Sequence, residues 1–117
     1  MIPRSLLVVE DDPTTRRALQ RYFQLKGWEV RVASTVAEGL KLLDPPPDCV
    51  ILDLMLPDQG GEVVLRKIRK DQLPTRVAVC TGTSSQARLD HVAKLGPDAL
   101  LIKPITVADL CVACGVN

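Results

Sequence analysis

Short runs of apolar residues alternate along the chain with longer segments in which apolar residues recur every three or four positions. The runs are typical of strands buried on both faces, and the spaced positions are typical of amphipathic helices. Five runs have the strand pattern, and they occupy 6–9, 28–32, 49–52, 76–81 and 100–102. A helical segment follows each run, so the pattern predicts an α/β fold with a parallel sheet covered by helices on both faces.

Boundary residues support these helices. Asp12 followed by Pro13 predicts an N-cap and a proline at the first helical position. Val36 to Leu43 is predicted as the second helix, and the prolines at 45–47 end it. The third helix is predicted at Glu62 to Lys70, with Val64, Leu65 and Ile68 facing inward. The fourth begins after a cap at Ser84 or Ser85 and ends at Gly96, and the fifth begins at Thr106. Residues 1–117 are therefore expected to form a single domain of five strands and five helices.

Composition and net charge reduce the number of function classes that fit the chain. Apolar residues make up 46% and charged residues 25% of the chain, which argues against disorder. A net charge of +1 and 3% aromatic residues favour neither direct nucleic-acid binding nor membrane binding. No apolar run approaches the roughly 20 residues of a membrane span, and Met1 to Arg4 lacks the layout of an export signal. We therefore expect a cytoplasmic protein with reduced cysteines.

Charged and polar residues follow the predicted strands at their carboxyl ends. Glu10 and Asp11 follow the first strand, Asp53 the third and Lys103 the fifth, while Thr81 ends the fourth. These ends gather at one edge of a parallel sheet, at the topological switch point. Packed carboxylates repel one another unless a cation compensates, and Mg²⁺ favours carboxylates, waters and phosphate oxygens.

This set of groups predicts phosphoryl transfer. A carboxylate at a strand tip, Asp53, can attack a phosphorus atom in line and form an acyl phosphate. Mg²⁺ and the Lys103 ammonium can neutralise the equatorial oxygens, and the Thr81 hydroxyl can donate a hydrogen bond to one of them. An isolated aspartate at a strand end is often only a cap, but Asp53 lies between apolar residues on both sides.

At these positions the sequence resembles the response-regulator receiver family, including its single-domain chemotaxis-type members. The matching segments are Val8-Val9-Glu10-Asp11-Asp12, Leu52-Asp53-Leu54-Met55-Leu56-Pro57, Gly61, Thr81-Gly82 and Lys103-Pro104. The resemblance extends from Leu6 to the last helix. It implies a flavodoxin-like three-layer sandwich with strand order 2-1-3-4-5.

The resemblance also implies roles for individual residues. Asp53 is implied as the phosphoacceptor, Lys103 as the contact to the phosphoryl group and Thr81 as the residue that couples the site to the rest of the domain. The implied Mg²⁺ ligands are Asp11, Asp53, the backbone carbonyl of Met55 and, directly or through water, Glu10. A cis peptide between Lys103 and Pro104 is implied as well.

The implied function is two-component signal transduction. A sensor histidine kinase or a histidine phosphotransfer protein would donate the phosphoryl group, and a downstream protein or an output domain of a longer chain would respond. Such a switch catalyses only its own phosphorylation and dephosphorylation. Homodimerisation through the fourth and fifth helices is left open. In the family, an aromatic residue usually stands three positions before the lysine and moves with the threonine on activation. Leu100 stands at this position, so the resemblance implies phosphorylation but not this movement of an aromatic side chain.

Three other functions remain as alternatives. A pseudo-receiver that only binds proteins would be expected to lack a phosphorylation residue, but Asp11, Asp53, Thr81 and Lys103 are all present. A phosphatase of the haloacid-dehalogenase type would need an aspartate where Met55 stands, and a flavodoxin-like cofactor carrier would need a phosphate loop after the first strand. Cys111-x-x-Cys114 lies within the last helical pattern, so packing is favoured over redox or zinc chemistry.

Overall fold

The computed structural model describes residues 3–115, so the predictions made for Met1 and Ile2 lie outside the described residues. The strands are β1 Ser5–Val9, β2 Glu29–Ala33, β3 Cys49–Asp53, β4 Arg76–Thr81 and β5 Ala99–Ile102. The helices are α1 Pro13–Leu25, α2 Val36–Lys41, α3 Glu62–Lys70, α4 Gln86–Lys94 and α5 Val107–Ala113. Within residues 3–115, no helix has both the length and the apolar content that crossing a membrane requires.

The five strands form one parallel sheet in the order β2-β1-β3-β4-β5, which confirms the predicted topology. Strand β1 lies between β2 and β3, with Val9 opposite Ala33 on one side and Leu52 on the other. The chain therefore places β2 on one side of β1 and then crosses over to place β3, β4 and β5 on the other side. Between β1 and β3 lies the crevice in which doubly wound folds bind ligands.

Alternate residues of each central strand supply the two halves of the core. Leu7 and Val9 point toward α2, α3 and α4, while Leu6 and Val8 point toward α1 and α5. All four side chains are fully buried, as the uninterrupted apolar run predicts for a strand covered on both faces. The three-layer arrangement is thus confirmed.

Caps begin four of the helices at the expected kinds of residue. The Asp12 carboxylate accepts a hydrogen bond from the backbone N–H of Thr15 at 3.0 Å, and Pro13 is the first residue of α1. Of the two serines considered for α4, Ser85 is the cap. Thr35 caps α2, and Thr106 caps α5 in a capping box with Asp109.

Predicted ends of several elements, among them β1, β2, β3, β5 and α2, differ from the observed ends by one or two residues. Strand β2 covers Glu29–Ala33 rather than 28–32, because the N–H of Trp28 bonds to the Phe23 carbonyl at 3.0 Å and pairing with β1 starts at Glu29. Helix α2 ends at Lys41 rather than Leu43. The N–H of Leu43 bonds to the Leu40 carbonyl at 3.4 Å, three residues back, and the prolines at 45–47 lack the N–H groups that would extend the helix. The Arg31 guanidinium donates to the Leu42 carbonyl at 2.7 Å.

The cysteines occupy the positions that packing predicted. Cys49 and Cys80 lie buried in β3 and β4, which confirms their role as small apolar residues. Cys111 lies in α5 with its sulfur 3.5 Å from the Tyr22 hydroxyl, and Cys114 is the buried C-cap of that helix. The Cys111-x-x-Cys114 pair is therefore part of the packing of α5 against the sheet.

Candidate functional site

Four strands deliver polar side chains to the carboxyl edge of the sheet. Glu10 directly follows β1, Asp53 is the last residue of β3, Thr81 is the last residue of β4, and Lys103 directly follows β5. In β1, β3 and β4, buried apolar side chains precede these polar residues, whereas β5 is only partly buried and its Ile102 is exposed. The change from apolar to polar residues marks the carboxyl edge of the sheet.

Three carboxylates meet at this edge. Glu10, Asp11 and Asp53 each place an oxygen within 4.8 Å of the others. Glu10 and Asp53 are buried, with 4% and 5% of their surfaces exposed, while Asp11 is exposed. Negative charges this close in a largely dry setting raise the energy of the folded state unless a cation compensates.

Lys103 supplies one such cation. Its Nζ donates hydrogen bonds to Oδ2 of Asp53 at 3.0 Å and to Oε1 of Glu10 at 3.1 Å. Burial by itself would lower the pKa of Lys103, but the bonds and charges of Asp53 and Glu10 outweigh it and raise that pKa. The lysine therefore stays positively charged beside the two buried carboxylates. The peptide bond between Lys103 and Pro104 is cis, as the resemblance implied.

The surroundings of Glu10 disfavour its charged form. Burial, together with the hydrogen bond and charge of Asp53, raises the pKa of Glu10 to about 7, although Lys103 pulls it down. Its Oε2 is buried and accepts no hydrogen bond from any residue within 3–115. A buried oxygen without a donor costs free energy that a metal ion would recover.

The donor set fits a hard divalent cation. Three carboxylates supply oxygen ligands, and one buried carboxylate oxygen lacks a partner. Magnesium binds such oxygens and keeps several waters for exchange with a phosphate oxygen. These residues can therefore hold Mg²⁺ at the switch point of the sheet.

Asp53 is fixed from two sides. Its Oδ1 accepts a hydrogen bond from the backbone N–H of Met55 at 3.0 Å, and its Oδ2 accepts the bond from Lys103. Gly61 lies against the carbonyl of Asp53, where a Cβ atom would collide with the carbonyl oxygen. That close approach explains the glycine at position 61.

Thr81 lies fully buried in the strand next to β3. Its hydroxyl accepts a hydrogen bond from the backbone N–H of Thr83 at 3.1 Å, and its carbonyl accepts one from the N–H of Lys103 at 2.8 Å. The threonine is therefore linked through the backbone to the lysine of the site and to the loop that leads into α4.

Leu100 is half-buried against the α2–α4 half of the core. It thus fills the position of the usual aromatic residue with an aliphatic side chain.

Two arginines that the sequence did not single out brace the loops of the site. Arg16, in α1, donates from Nη1 to the carbonyls of Glu10 at 3.0 Å and Asp11 at 3.2 Å. Arg88, in α4, donates from Nη2 to the Leu54 carbonyl at 2.7 Å. The position of Arg16 shortly after the acidic pair was a weak available signal. No such signal pointed to Arg88, because it lies 34 residues along the chain from Leu54, whose carbonyl it binds.

Asp58 braces the same region from another helix. Its two carboxylate oxygens accept hydrogen bonds from the backbone N–H groups of Val36 and Ala37, each at 3.0 Å. These bonds lower the pKa of Asp58, most strongly the bond from Val36. The segment that follows Asp53 is therefore attached to α2 as well as to α4.

A cleft opens beside the acidic cluster on the α1 and α5 side of the sheet. Its volume is about 260 Å³, and Glu10, Asp53 and Lys103 form its polar wall. Apolar side chains, among them Leu19 and Ile105, also line it. The two buried carboxylates of the cluster therefore border this cleft.

The fold and this edge define a doubly wound α/β protein with a charged site at its switch point, and comparisons with known proteins identify the family. The sequence profile of the response regulator receiver domain matches residues 6–114. The acid tolerance regulatory protein ActR of Rhizobium meliloti (strain 1021) is 37% identical over 111 residues, which cover 94% of this chain and 57% of ActR. The TorCAD operon transcriptional regulatory protein TorR of Escherichia coli O157:H7 is 32% identical over 115 residues, covering 95% and 48%.

Solved structures agree. A CheY-like response regulator receiver domain protein from Methanospirillum hungatei JF-1 gives a TM-score of 0.88 at 27% identity, covering 95% of this chain and 90% of that protein. A response regulator from Burkholderia pseudomallei, with a phosphorylated aspartic acid, a calcium ion and citrate, gives 0.85 at 28% identity, covering 95% and 66%.

The chain therefore belongs to the response regulator receiver domain family, whose members act in two-component systems and bind Mg²⁺ at an acidic pocket. It spans about half the length of the curated relatives it matches.

Proposed function

We propose that this protein is a phosphorylation switch in which Asp53 accepts the phosphoryl group. The observation that carries the proposal is the meeting of Glu10, Asp11 and Asp53 with the Lys103 ammonium at the switch point of the sheet. Like charges at this spacing, two of them buried, are costly for folding, so their presence points to function. The Burkholderia pseudomallei structure with a phosphorylated aspartic acid, which shares the fold at 28% identity, supports the same assignment.

Mg²⁺ is the proposed cofactor. Asp11, Asp53, the Met55 backbone carbonyl and, directly or through water, Glu10 would hold it. When bound, it would supply positive charge to the oxygens of the transferring phosphoryl group. The unpartnered Oε2 of Glu10 supports this assignment, because a cation satisfies an oxygen that no donor within residues 3–115 reaches.

Individual side chains of the protein would carry out different parts of the reaction. An Asp53 carboxylate oxygen attacks phosphorus, the new O–P bond forms, and the P–N bond to the donor's histidine breaks with its electron pair returning to the imidazole nitrogen. Lys103 stays charged beside the attacking carboxylate and neutralises the phosphoryl oxygens. The Thr81 hydroxyl, whose oxygen accepts a hydrogen bond from the Thr83 N–H, donates a hydrogen bond to a phosphoryl oxygen.

The proposed partners follow from this chemistry. A sensor histidine kinase or a histidine phosphotransfer protein would donate the phosphoryl group in the cytoplasm. A downstream protein, or an output domain in a longer polypeptide, would bind one of the two states better and so read the switch. Residues 1–117 would act as one domain that catalyses only its own phosphorylation and slow dephosphorylation. We propose no direct contact of this domain with nucleic acid or membrane.

Phosphorylation by a small donor tests the proposal directly. The protein is incubated with Mg²⁺ and acetyl phosphate, and its intact mass is measured, with Asp53→Asn as the matched control. A gain of one phosphoryl mass that requires Mg²⁺ and disappears in the variant supports the proposal. An unchanged mass, together with amide spectra that do not respond to beryllofluoride, would favour the pseudo-receiver instead.

A further inference from the structure

Arg88 connects α4 to the two ends of the β3–α3 loop (residues 54–61). Its Nη2 binds the Leu54 carbonyl at 2.7 Å, at the start of the loop. Its Nε and Nη2 bind the two oxygens of Glu62 at 3.1 and 2.9 Å, immediately after the loop. The two charged side chains are 28% and 12% exposed, so this bidentate pair is partly desolvated and geometrically defined.

The bond to Leu54 fixes one particular peptide unit. The Leu54 carbonyl also accepts the N–H of Gly61 at 3.0 Å, and the N–H of the same peptide unit, which belongs to Met55, donates to Asp53. Because a peptide unit is planar, bonds at its oxygen and at its nitrogen determine its orientation. The next carbonyl along the chain is that of Met55, a proposed Mg²⁺ ligand.

Gly60 lies directly beside this pair. A Cβ atom at position 60 would collide with the Glu62 carboxylate and lie 3.0 Å from Nη2 of Arg88. The absence of a side chain at Gly60 therefore leaves the space in which the pair sits. The pair also has an electrostatic link to the site, since the pKa of Arg88 is raised mainly by its bond to Glu62 and also by the charge of Asp53.

We propose that Arg88, oriented by Glu62, is a positioning residue for the Mg²⁺ site. It holds the Leu54–Met55 peptide so that the Met55 carbonyl can bind the ion. It thereby makes metal binding and phosphorylation depend on the position of α4. This inference rests on the proposed function. It supplies a connection between the site and α4 that does not need an aromatic residue at position 100.

The test separates positioning from a simple brace between helices. Arg88→Gln removes the charge and the fork of donors, and Arg88→Lys keeps the charge but cannot bind Leu54 and both Glu62 oxygens together. Arg66→Gln is the matched control, because Arg66 joins α3 to α4 through His91, at 2.8 Å, without touching the loop. Mg²⁺ affinity is measured by calorimetry where each protein is fully folded, and exchange of the Gly61 and Met55 amides is measured without metal.

We expect Arg88→Gln to bind Mg²⁺ about tenfold more weakly, the size typical for loss of a residue that orients a metal ligand. The Gly61 and Met55 amides should exchange faster in this variant, Arg88→Lys should recover part of both properties, and Arg66→Gln should change neither. Unchanged Mg²⁺ affinity in a folded Arg88→Gln protein would overturn the inference and leave Arg88 a brace. If the unaltered protein itself binds no Mg²⁺ and takes up no phosphoryl group, the proposed function fails and the inference fails with it.

Discussion

Glu10 has little access to water and accepts a hydrogen bond from the Lys103 ammonium, which also bonds to Asp53. Its pKa of about 7, against an ordinary 4.5, means that the metal-free folded protein holds a proton there which the unfolded chain releases between about pH 4.5 and 7. The contribution of Glu10 to stability is therefore present at low pH and is lost as the pH rises through about 7. A metal ion bound by the same carboxylate must displace this proton.

Mg²⁺ affinity should consequently fall as the pH is lowered below about 7. One proton competes with each ion, so the apparent affinity is expected to drop by as much as about tenfold per pH unit in that range. Calorimetric titration with Mg²⁺ between pH 5.5 and 8 measures the slope. Glu10→Gln, which has no carboxyl proton to lose, should bind more weakly and show a much flatter profile. An equally steep profile in that variant would assign the proton to another group.

The sequence predicted the acids and the lysine that the fold brings together, because each follows a recognisable apolar strand. It did not identify Arg16 or Arg88, although both bind backbone carbonyls of the loops that carry those acids. A strand end has a local signature, namely the change from apolar to polar residues. A long side chain that crosses from a helix to a loop has none, since its partner is determined only by the packing of the finished fold.

At the scale of elements, α5 depends strongly on its first turn. It has seven residues, too few to be stable alone, and its capping box joins Thr106 and Asp109. Leu110 anchors it in the core, while Val112 is exposed. The cap and one buried face together keep α5 beside Lys103 and the cleft.

Thr106→Ala should therefore lower the free energy of unfolding by about 1 kcal/mol, the usual cost of losing an N-cap hydroxyl. Urea unfolding followed by circular dichroism measures the change. Thr14→Ala is the control, because Thr14 is exposed in the first turn of α1, where Asp12 is the cap. Equal losses in the two variants would show that the capping box does not stabilise α5.

Element types were all predictable, and most ends were too, because glycine, proline and capping residues mark them. The ends that differ are set by local backbone bonds of the finished fold. The N–H of Trp28 bonds to the Phe23 carbonyl in the C-terminal turn of α1, and the N–H of Leu43 bonds to the Leu40 carbonyl after α2. The apolar pattern does not record either bond, because it reflects the burial of side chains and not the pairing of the backbone.

At the scale of the whole molecule, repulsion among the three carboxylates lowers the free energy of unfolding. Bound Mg²⁺ should remove this repulsion. A ligand that binds only the folded state adds about 2.7 kcal/mol of stability at a hundred times its dissociation constant. Urea unfolding with and without Mg²⁺, at ionic strength matched with NaCl, should show a gain of that size. Asp11→Asn removes an exposed ligand and should abolish most of the gain. The same gain in the variant would place the ion elsewhere.

The hydrogen bonds of Lys103 join residues that are far apart along the chain. The sequence separation is 93 residues for Glu10 and 50 residues for Asp53. Strand β5, which presents the lysine, is at the edge of the sheet and follows the other four strands of this sheet in the sequence. During translation the acids therefore leave the ribosome before their ammonium partner. We expect a nascent chain to lack the complete proposed phosphorylation site until β5 has paired with β4.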